Sequence, residues 1–499
     1  MSQAWQKLKP RLDELRDLGG AIALLHWDQL VMMPPRGGDA RAQSAATVES
    51  IAHARLTDPA VGDLLGELAG ASNLDRNQRA HVRVLKRWHD REVKIPPELV
   101  RELAEARALA YQVWTEARPA SDFEMLKPHL EHLVQLKKRE ADAVGYEAER
   151  YDALMDVYEP DVTAHEIEVM FAELASELKP LSDAVLEAAG NPPEFLHGVF
   201  DEGRQRNVCR WLVDVLGFDF EGGRLDESPH PFTIALAAGD VRQTIRTEPN
   251  SVLPSVYAAI HETGHALYEQ GIPVDLAGLP AGNAASLGMH ESQSRLWENQ
   301  VGRSRAFTDF LLPQLKEAFP DQLGTVTPEE FHRGVNHPQR TLIRVNADEV
   351  TYNLHVINRF ELELALFREE LEVDDLPGAW GDAMEQRLGT RPDSDAEGVL
   401  QDMHWPTGAF GYFPTYTIGT LYAAAFYTRA AEDLDSLNEQ LRRGETGRLL
   451  EWLREKVHSQ AFLKSAKDIG ESVIGGPLTV KPFLDHLREK YSAIYDQRF

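Results

Sequence analysis

The residues best equipped for chemistry are His261, Glu262 and His265, within Ile260-His261-Glu262-Thr263-Gly264-His265-Ala266-Leu267-Tyr268. Pro254 stands just upstream and Gly271 just beyond, and nothing between them breaks a helix, so the stretch reads as helical. Residues four apart on a helix lie one above the other, and His261 and His265 therefore aim two imidazoles at one point. Both can reach a zinc ion there at its usual bond length of about 2.0–2.1 Å. Glu262 is rotated to the side of that point, where its carboxylate can take a proton from water instead of binding the ion. Ile260, Gly264 and Leu267 offer an apolar, small-residue face to the protein body. Two histidines and a glutamate also meet by chance on ordinary helices, so the motif needs support from elsewhere in the chain.

A hydrolytic zinc site keeps one coordination position open and takes three protein ligands. After a Gly/Pro/Ala-rich loop, His290-Glu291-Ser292-Gln293-Ser294-Arg295 starts another helix. Glu291 is the best candidate for the third ligand, with Ser292 and Arg295 as partners that would orient it. Just before the first helix, two short extended runs between Thr233 and Thr247 flank Ala238-Gly239-Asp240 and read as a hairpin. A strand edge at that place can pair with an extended peptide and hold it across the metal.

The elements around these motifs are helical. Residues 1 to about 220 read as helix after helix. Thr163-Ala164-His165-Glu166 is a capping box, opening a helix striped by Ile167, Met170, Phe171, Leu174, Leu178 and Leu181. Thr327-Pro328-Glu329-Glu330 starts another capped helix, and the segment from Ile343 leads into a long helix through Glu370. The glycine- and aromatic-rich run Phe410 to Tyr416, following His404, reads as a cleft wall, and the final hundred residues return to amphipathic helices. His26 reads as a structural histidine on an apolar face, and Cys209 as a small buried residue.

Composition narrows the class. Eighty acidic against 52 basic residues give a net charge of -28, which disfavours nucleic acid and anionic membrane surfaces as partners. One cysteine excludes a disulfide framework and a cysteine-based metal site. No run approaches the roughly 18 apolar residues of a membrane span, and Met1 to Lys7 lacks an apolar signal core, so a cytoplasmic protein is expected. There is no Gly-x-Ser-x-Gly elbow and no phosphate-binding loop of the Gly-x-x-x-x-Gly-Lys type.

Five motifs in order now stand together: Asp240-x-Arg242-x-Thr244, His261-Glu262-x-x-His265, the run from His290 to Arg295, Ile343-Arg344-x-x-Ala347-Asp348-Glu349, and Gly398-x-x-Gln401-Asp402-x-His404-Trp405. This series resembles the thermostable Taq-type metallocarboxypeptidases, peptidase family M32, and Leu25-His26-Trp27-Asp28 and Met33-Pro34 extend the likeness over nearly the whole chain. Asn346 departs from it, standing where an acidic residue is expected, and Gln243 and Ile245 are unusual neighbours for Thr244. The resemblance implies a mainly α metallopeptidase with a deep central groove and a small β-sheet beside the zinc helix. It implies removal of single residues from peptide C-termini with broad tolerance, a homodimer, and one zinc or cobalt ion per subunit. We therefore expect one catalytic domain over residues 1–499: a helical part to about 225, the metal and active-site part at about 226–420, and C-terminal helices from about 421.

Chemistry assigns the roles. His261, His265 and Glu291 hold the metal, and Glu262 takes the proton of the activated water and passes it to the leaving amine. By similarity to helical zinc peptidases with a histidine followed by tyrosines, His404 and Tyr416 are expected to stabilise the oxyanion, and Tyr412 to bind substrate. A free C-terminal carboxylate is best held by a guanidinium, with Arg344 the first choice and Arg242 the second. The same core would also serve a zinc endo-oligopeptidase or a peptidyl-dipeptidase. A helical peptide-binding protein without catalysis would lack a ligand or the base, and all four residues are present.

Overall fold

The computed structural model describes residues 2–499 and is mostly helical, with one three-stranded sheet. Its internal contacts gather into two compact units, each assembled from three stretches of chain.

The first unit comprises Met1–Glu92, Pro193–Val335 and Tyr422–Leu478. Its helix Gln3–Val31 starts where the Ser2 hydroxyl accepts the Trp5 N–H at 3.1 Å. Trp5, Leu8 and Leu12 of that helix are buried against Val61, Leu65, Leu68 and Leu85. His26 lies on the solvated side of this helix, bonded to Glu49 at 3.1 Å, and not on an apolar face; the buried residue is its neighbour Trp27. Cys209 is buried, as expected.

The sheet lies in this unit. Strands β2 (Thr233–Ala237) and β3 (Asp240–Ile245) form the expected antiparallel hairpin, turning at Gly239 with φ 76° and bulging between Ala235 and Ala237. A further strand, β1 (Gly223–Glu227), runs parallel to β3 on its other side, with Leu225 opposite Gln243. Gly-Arg-Leu-Asp-Glu shows no apolar alternation, so this strand leaves no mark in the sequence pattern.

The motif helix is Leu253–Gly271, with Pro254 in its first turn, where the missing N–H costs no bond. Val256, Ala259, Ile260, Ala266 and Leu267 are buried, leaving His261, His265 and Glu269 as a half-buried stripe at four-residue spacing. The next helix, Leu287–Arg295, is capped by the Ser286 hydroxyl, which accepts the Met289 N–H at 3.0 Å, and continues as a π-helix over Leu296–Gly302. The two helices meet at Gly264. A β-carbon there would lie 2.6 Å from the Gln293 carbonyl oxygen and from Ser294 Cα, so only glycine permits this approach.

The second unit comprises Val93–Pro192, Asn336–Leu421 and Thr479–Phe499. The capping box predicted at Thr163 is formed, with Glu166 accepting the Thr163 N–H at 2.9 Å. At the centre runs the helix Tyr352–Arg368, buried on nearly every side. It begins later than the sequence suggested. Arg344–Asn346 forms a single 3-10 turn, after which the Asp348 carboxylate accepts the N–H groups of Val350, Thr351 and Gln339. A side chain that satisfies the donors ahead of a helix fixes its start. Glu349, also buried, bonds His486 Nε2 at 2.7 Å and Lys490 Nζ at 2.6 Å, both on the helix Lys481–Tyr495. No helix among the described residues is long and apolar enough to cross a membrane.

Candidate metal centre

His261, His265 and Glu291 bring one ligand atom each within 4.8 Å of one another, the one such group found among the described residues. Two of the three come from consecutive turns of the motif helix, and the third from the helix that crosses it at Gly264. Glu291 Oε2 lies 3.3 Å from His265 Nε2 and 3.7 Å from His261 Nε2, so all three donors converge.

The surrounding groups orient these donors. Glu298 Oε2 lies 2.9 Å from His261 Nδ1, leaving Nε2 to face Glu291. Glu291 Oε1 accepts the Arg295 Nε–H at 2.7 Å, and the Ser294 hydroxyl donates to Oε2 at 3.0 Å. Arg295 is thus the partner expected for Glu291, whereas Ser292 turns its hydroxyl to the Met289 carbonyl instead. The His290 ring stacks on His265 at 4.4 Å between centroids and bonds Glu269 at 2.9 Å. A carboxylate on the far nitrogen of a ligating histidine, and a bonded carboxylate ligand, are what a divalent ion requires of its surroundings. The donor set of two imidazoles and one carboxylate fits such an ion.

The electrostatics agree. Burial pushes the Glu291 carboxyl up, but Arg295 and His261 outweigh it and hold the group well below the usual range, ionised. Burial, helped by His290, drops His265 to about 3, which keeps its lone pair free. Burial also lowers His261, but Glu291 and Glu298 more than reverse this and make it the more basic ring. Glu262 is buried beside these ligands. The Thr233 hydroxyl donates to its Oε2 at 2.8 Å and lies 3.0 Å from its main-chain carbonyl. Burial raises the Glu262 carboxyl above its ordinary value, against the pull of His261 and Thr233.

Arg242 sits in the same unit on β3. Both carboxylate oxygens of Asp240 accept from it at 2.8 Å, and its guanidinium lies 5.6 Å from the Trp27 ring centroid. It is one half of a neutral pair.

The second unit gathers the other expected residues. His404 Nε2 lies 3.2 Å from the Tyr416 hydroxyl, and the Tyr412 ring is 5.1 Å from His404 and 5.3 Å from Tyr416. Arg344 is buried with its guanidinium 4.9 Å from the Tyr416 ring centroid. Its Nη2 donates to Asp402 Oδ1 at 2.7 Å and its Nη1 to the Tyr352 hydroxyl at 3.0 Å. Asp402 Oδ2 accepts in turn from Arg359 at 2.6 Å. Burial pushes Asp402 up, but Arg344 and Arg359 hold it far below the usual carboxylate range. One carboxylate thus serves two guanidiniums, an excess of positive charge in a buried place.

Glu298 and Arg359 were not named from the sequence, and Thr233 and Asp402 entered only as parts of the hairpin and of a motif, with no role assigned. Glu291, Arg295 and Glu298 do share an i, i+4, i+7 spacing, which would have placed Glu298 on the ligand-bearing face. Thr233 and Arg359 carry no such signal.

Comparison with known proteins identifies the family of the chain. Residues 7–491 match the model of the carboxypeptidase Taq (M32) metallopeptidase family. The chain is 41% identical to thermostable carboxypeptidase 1 of Thermus thermophilus, over 99% of each chain. It is 38% identical to carboxypeptidase 1 of Bacillus subtilis, over 95% of each. The crystal structure of an M32 carboxypeptidase from Deinococcus radiodurans superposes with a TM-score of 0.96 at 40% identity, covering 99% of this chain and all of that one. Metallocarboxypeptidase 1 of Trypanosoma cruzi gives 0.95 at 34%, covering 98% and 99%. With the family model matched almost from end to end and relatives this similar over their full lengths, the chain belongs to the M32 family of metallocarboxypeptidases.

Proposed function

We propose that this metallocarboxypeptidase uses zinc, held by His261, His265 and Glu291, to remove single C-terminal residues from peptides with broad tolerance for the residue released. The observation that carries the reading is the buried Glu262 carboxylate, fixed by Thr233 beside three converging ligand atoms. Two imidazoles and a carboxylate suit zinc, and cobalt(II) accepts the same donors.

When bound, a divalent ion supplies Lewis acidity to water and to the scissile carbonyl. Glu262 takes the proton released as water attacks and later delivers it to the leaving amine, a role that its raised pKa supports. His404 and Tyr416 donate hydrogen bonds to the developing oxyanion, and Tyr412 packs on the substrate. Arg344 anchors the terminal carboxylate. In favour of Arg344 over Arg242 is charge: Arg344 and Arg359 share the single carboxylate of Asp402, whereas Arg242 is already neutralised by Asp240.

Time-resolved mass spectrometry of peptides with free and amidated C-termini tests this, on protein as isolated, after chelation, and after return of zinc or cobalt. The expected result is stepwise loss of single C-terminal residues, blocked by amidation and by chelation. Internal or dipeptide cuts would overturn the single-residue reading and point to an endo-oligopeptidase or peptidyl-dipeptidase. Folded, metal-loaded protein that cleaves nothing would leave a peptide-binding protein.

A further inference from the structure

The mechanism makes no use of Glu363, yet this carboxyl is fully buried on the central helix Tyr352–Arg368. Its three hydrogen-bond partners are all donors. Oε1 accepts the Trp405 indole N–H at 2.7 Å; Oε2 accepts the Gly411 main-chain N–H at 2.9 Å and the Tyr151 hydroxyl at 2.7 Å. Trp405 directly follows His404, and Gly411 directly precedes Tyr412. One carboxylate therefore grips both ends of the loop that carries these two residues into the helix bearing Tyr416.

The loop has little freedom to take another path. Gly411 adopts φ 86°, and a β-carbon on it would lie 2.7 Å from the Met155 main-chain nitrogen, so its backbone rests directly on the helix Arg150–Met155. The Trp405 ring is wedged between Trp380 and Phe410, at centroid distances of 5.6 and 6.5 Å. Burying a carboxyl is costly, and burial does push Glu363 up to about 7 against the pull of its donors. An apolar side chain would fill the same space without that cost, but could not hold an indole N–H and a main-chain N–H at fixed positions.

We propose that Glu363 is a positioning residue for peptide hydrolysis, clamping Trp405 and Gly411 so that His404, Tyr412 and Tyr416 stand in working register. The inference rests on the roles given above to those three residues. It makes a distinctive demand on Glu363→Gln. The amide keeps the shape of the carboxylate but turns an NH2 group toward either Trp405 N–H or Gly411 N–H, so one end of the clamp is lost. Removing the indole donor as well, by Trp405→Phe, lets the amide direct its oxygen at Gly411 and Tyr151 and its NH2 at the space left free.

The experiment is a double-mutant cycle on the metal-loaded full chain, with kcat and KM measured for one peptide and metal content checked for every variant. Glu363→Gln is expected to lose about 10- to 100-fold in kcat with bound metal little changed, and KM rises only if the amide releases the Gly411 end, which carries Tyr412. Trp405→Phe alone is expected to lose less, and the double variant to regain activity over Glu363→Gln, a rescue that a general loss of packing would not give. Tyr416→Phe, run in parallel, reports on the underlying roles. If it lowers kcat while Glu363→Gln does not, or while the two losses simply multiply in the double variant, the clamp is overturned and the roles stand. If Tyr416→Phe leaves kcat unchanged, those roles fail, and the clamp with them. Should Glu363→Gln not fold, Trp405→Phe decides alone: a lower kcat at unchanged KM supports the clamp, and an unchanged kcat overturns it.

Discussion

Glu298 Oε2 lies 2.9 Å from His261 Nδ1, carried there by the stretch of π-helix that follows Glu291. The wider turn places a carboxylate behind the imidazole, with Arg295 and Arg303 each 3.3 Å from its oxygens. Glu298→Gln is expected to weaken metal binding by about 10- to 100-fold, measured by competition with a chelator of known affinity. Unchanged affinity would mean that packing alone orients the ring.

Gly264 predicts a packing defect that reaches the metal. A methyl group there collides with main-chain atoms of Gln293 and Ser294, which cannot swing aside as a side chain would. Gly264→Ala is expected to destabilise the protein by about 1–3 kcal/mol in denaturant titration and to weaken metal binding as Glu291 is pushed away. A variant as stable as the parent would show that the helices part freely.

Thr233 bears on the proton transfer. Thr233→Val keeps the shape but removes the hydroxyl that donates to Glu262. The expected result is a fall in kcat of about tenfold at unchanged metal content, the size of one hydrogen bond to a charged group. Equal rates would detach Thr233 from the chemistry.

Acid should loosen the protein at a place remote in sequence from the metal ligands. Burial would raise the Glu349 carboxyl, but Lys490 and His486 outweigh it and hold the group at about 2, against about 4.3 in an unfolded chain. The folded form therefore binds fewer protons between these values. The stability that Glu349 contributes is complete above about pH 4.3 and is lost as pH falls toward 2. Lys490→Met is expected to raise the midpoint of acid unfolding, followed by circular dichroism, and an unmoved midpoint would refute this account.

The convergence of His261, His265 and Glu291 was legible because helical periodicity turns spacing into geometry. His261 and His265 needed only a four-residue interval, and Glu291 only a second helix close by. The hairpin was legible from its turn, but β1 was not, since its polar residues gain a strand through pairing with β3 alone. The late start of the helix at Tyr352 also escaped the sequence. Nothing in Asp348 as a residue type says that it will accept three main-chain N–H groups. Partners drawn from distant stretches, such as Asp402 for both Arg344 and Arg359, depend on tertiary packing that periodicity does not encode.

The bonds from Glu349 to His486 and Lys490 also set a timetable. Lys490 emerges 141 residues after Glu349, roughly 7–28 s later at ordinary translation rates. Until then the nascent chain carries a burial-prone carboxylate without its cations, a few residues from the turn that bears Arg344. Chain order therefore brings His261, His265 and Glu291 out of the ribosome well before the two cations that neutralise Glu349.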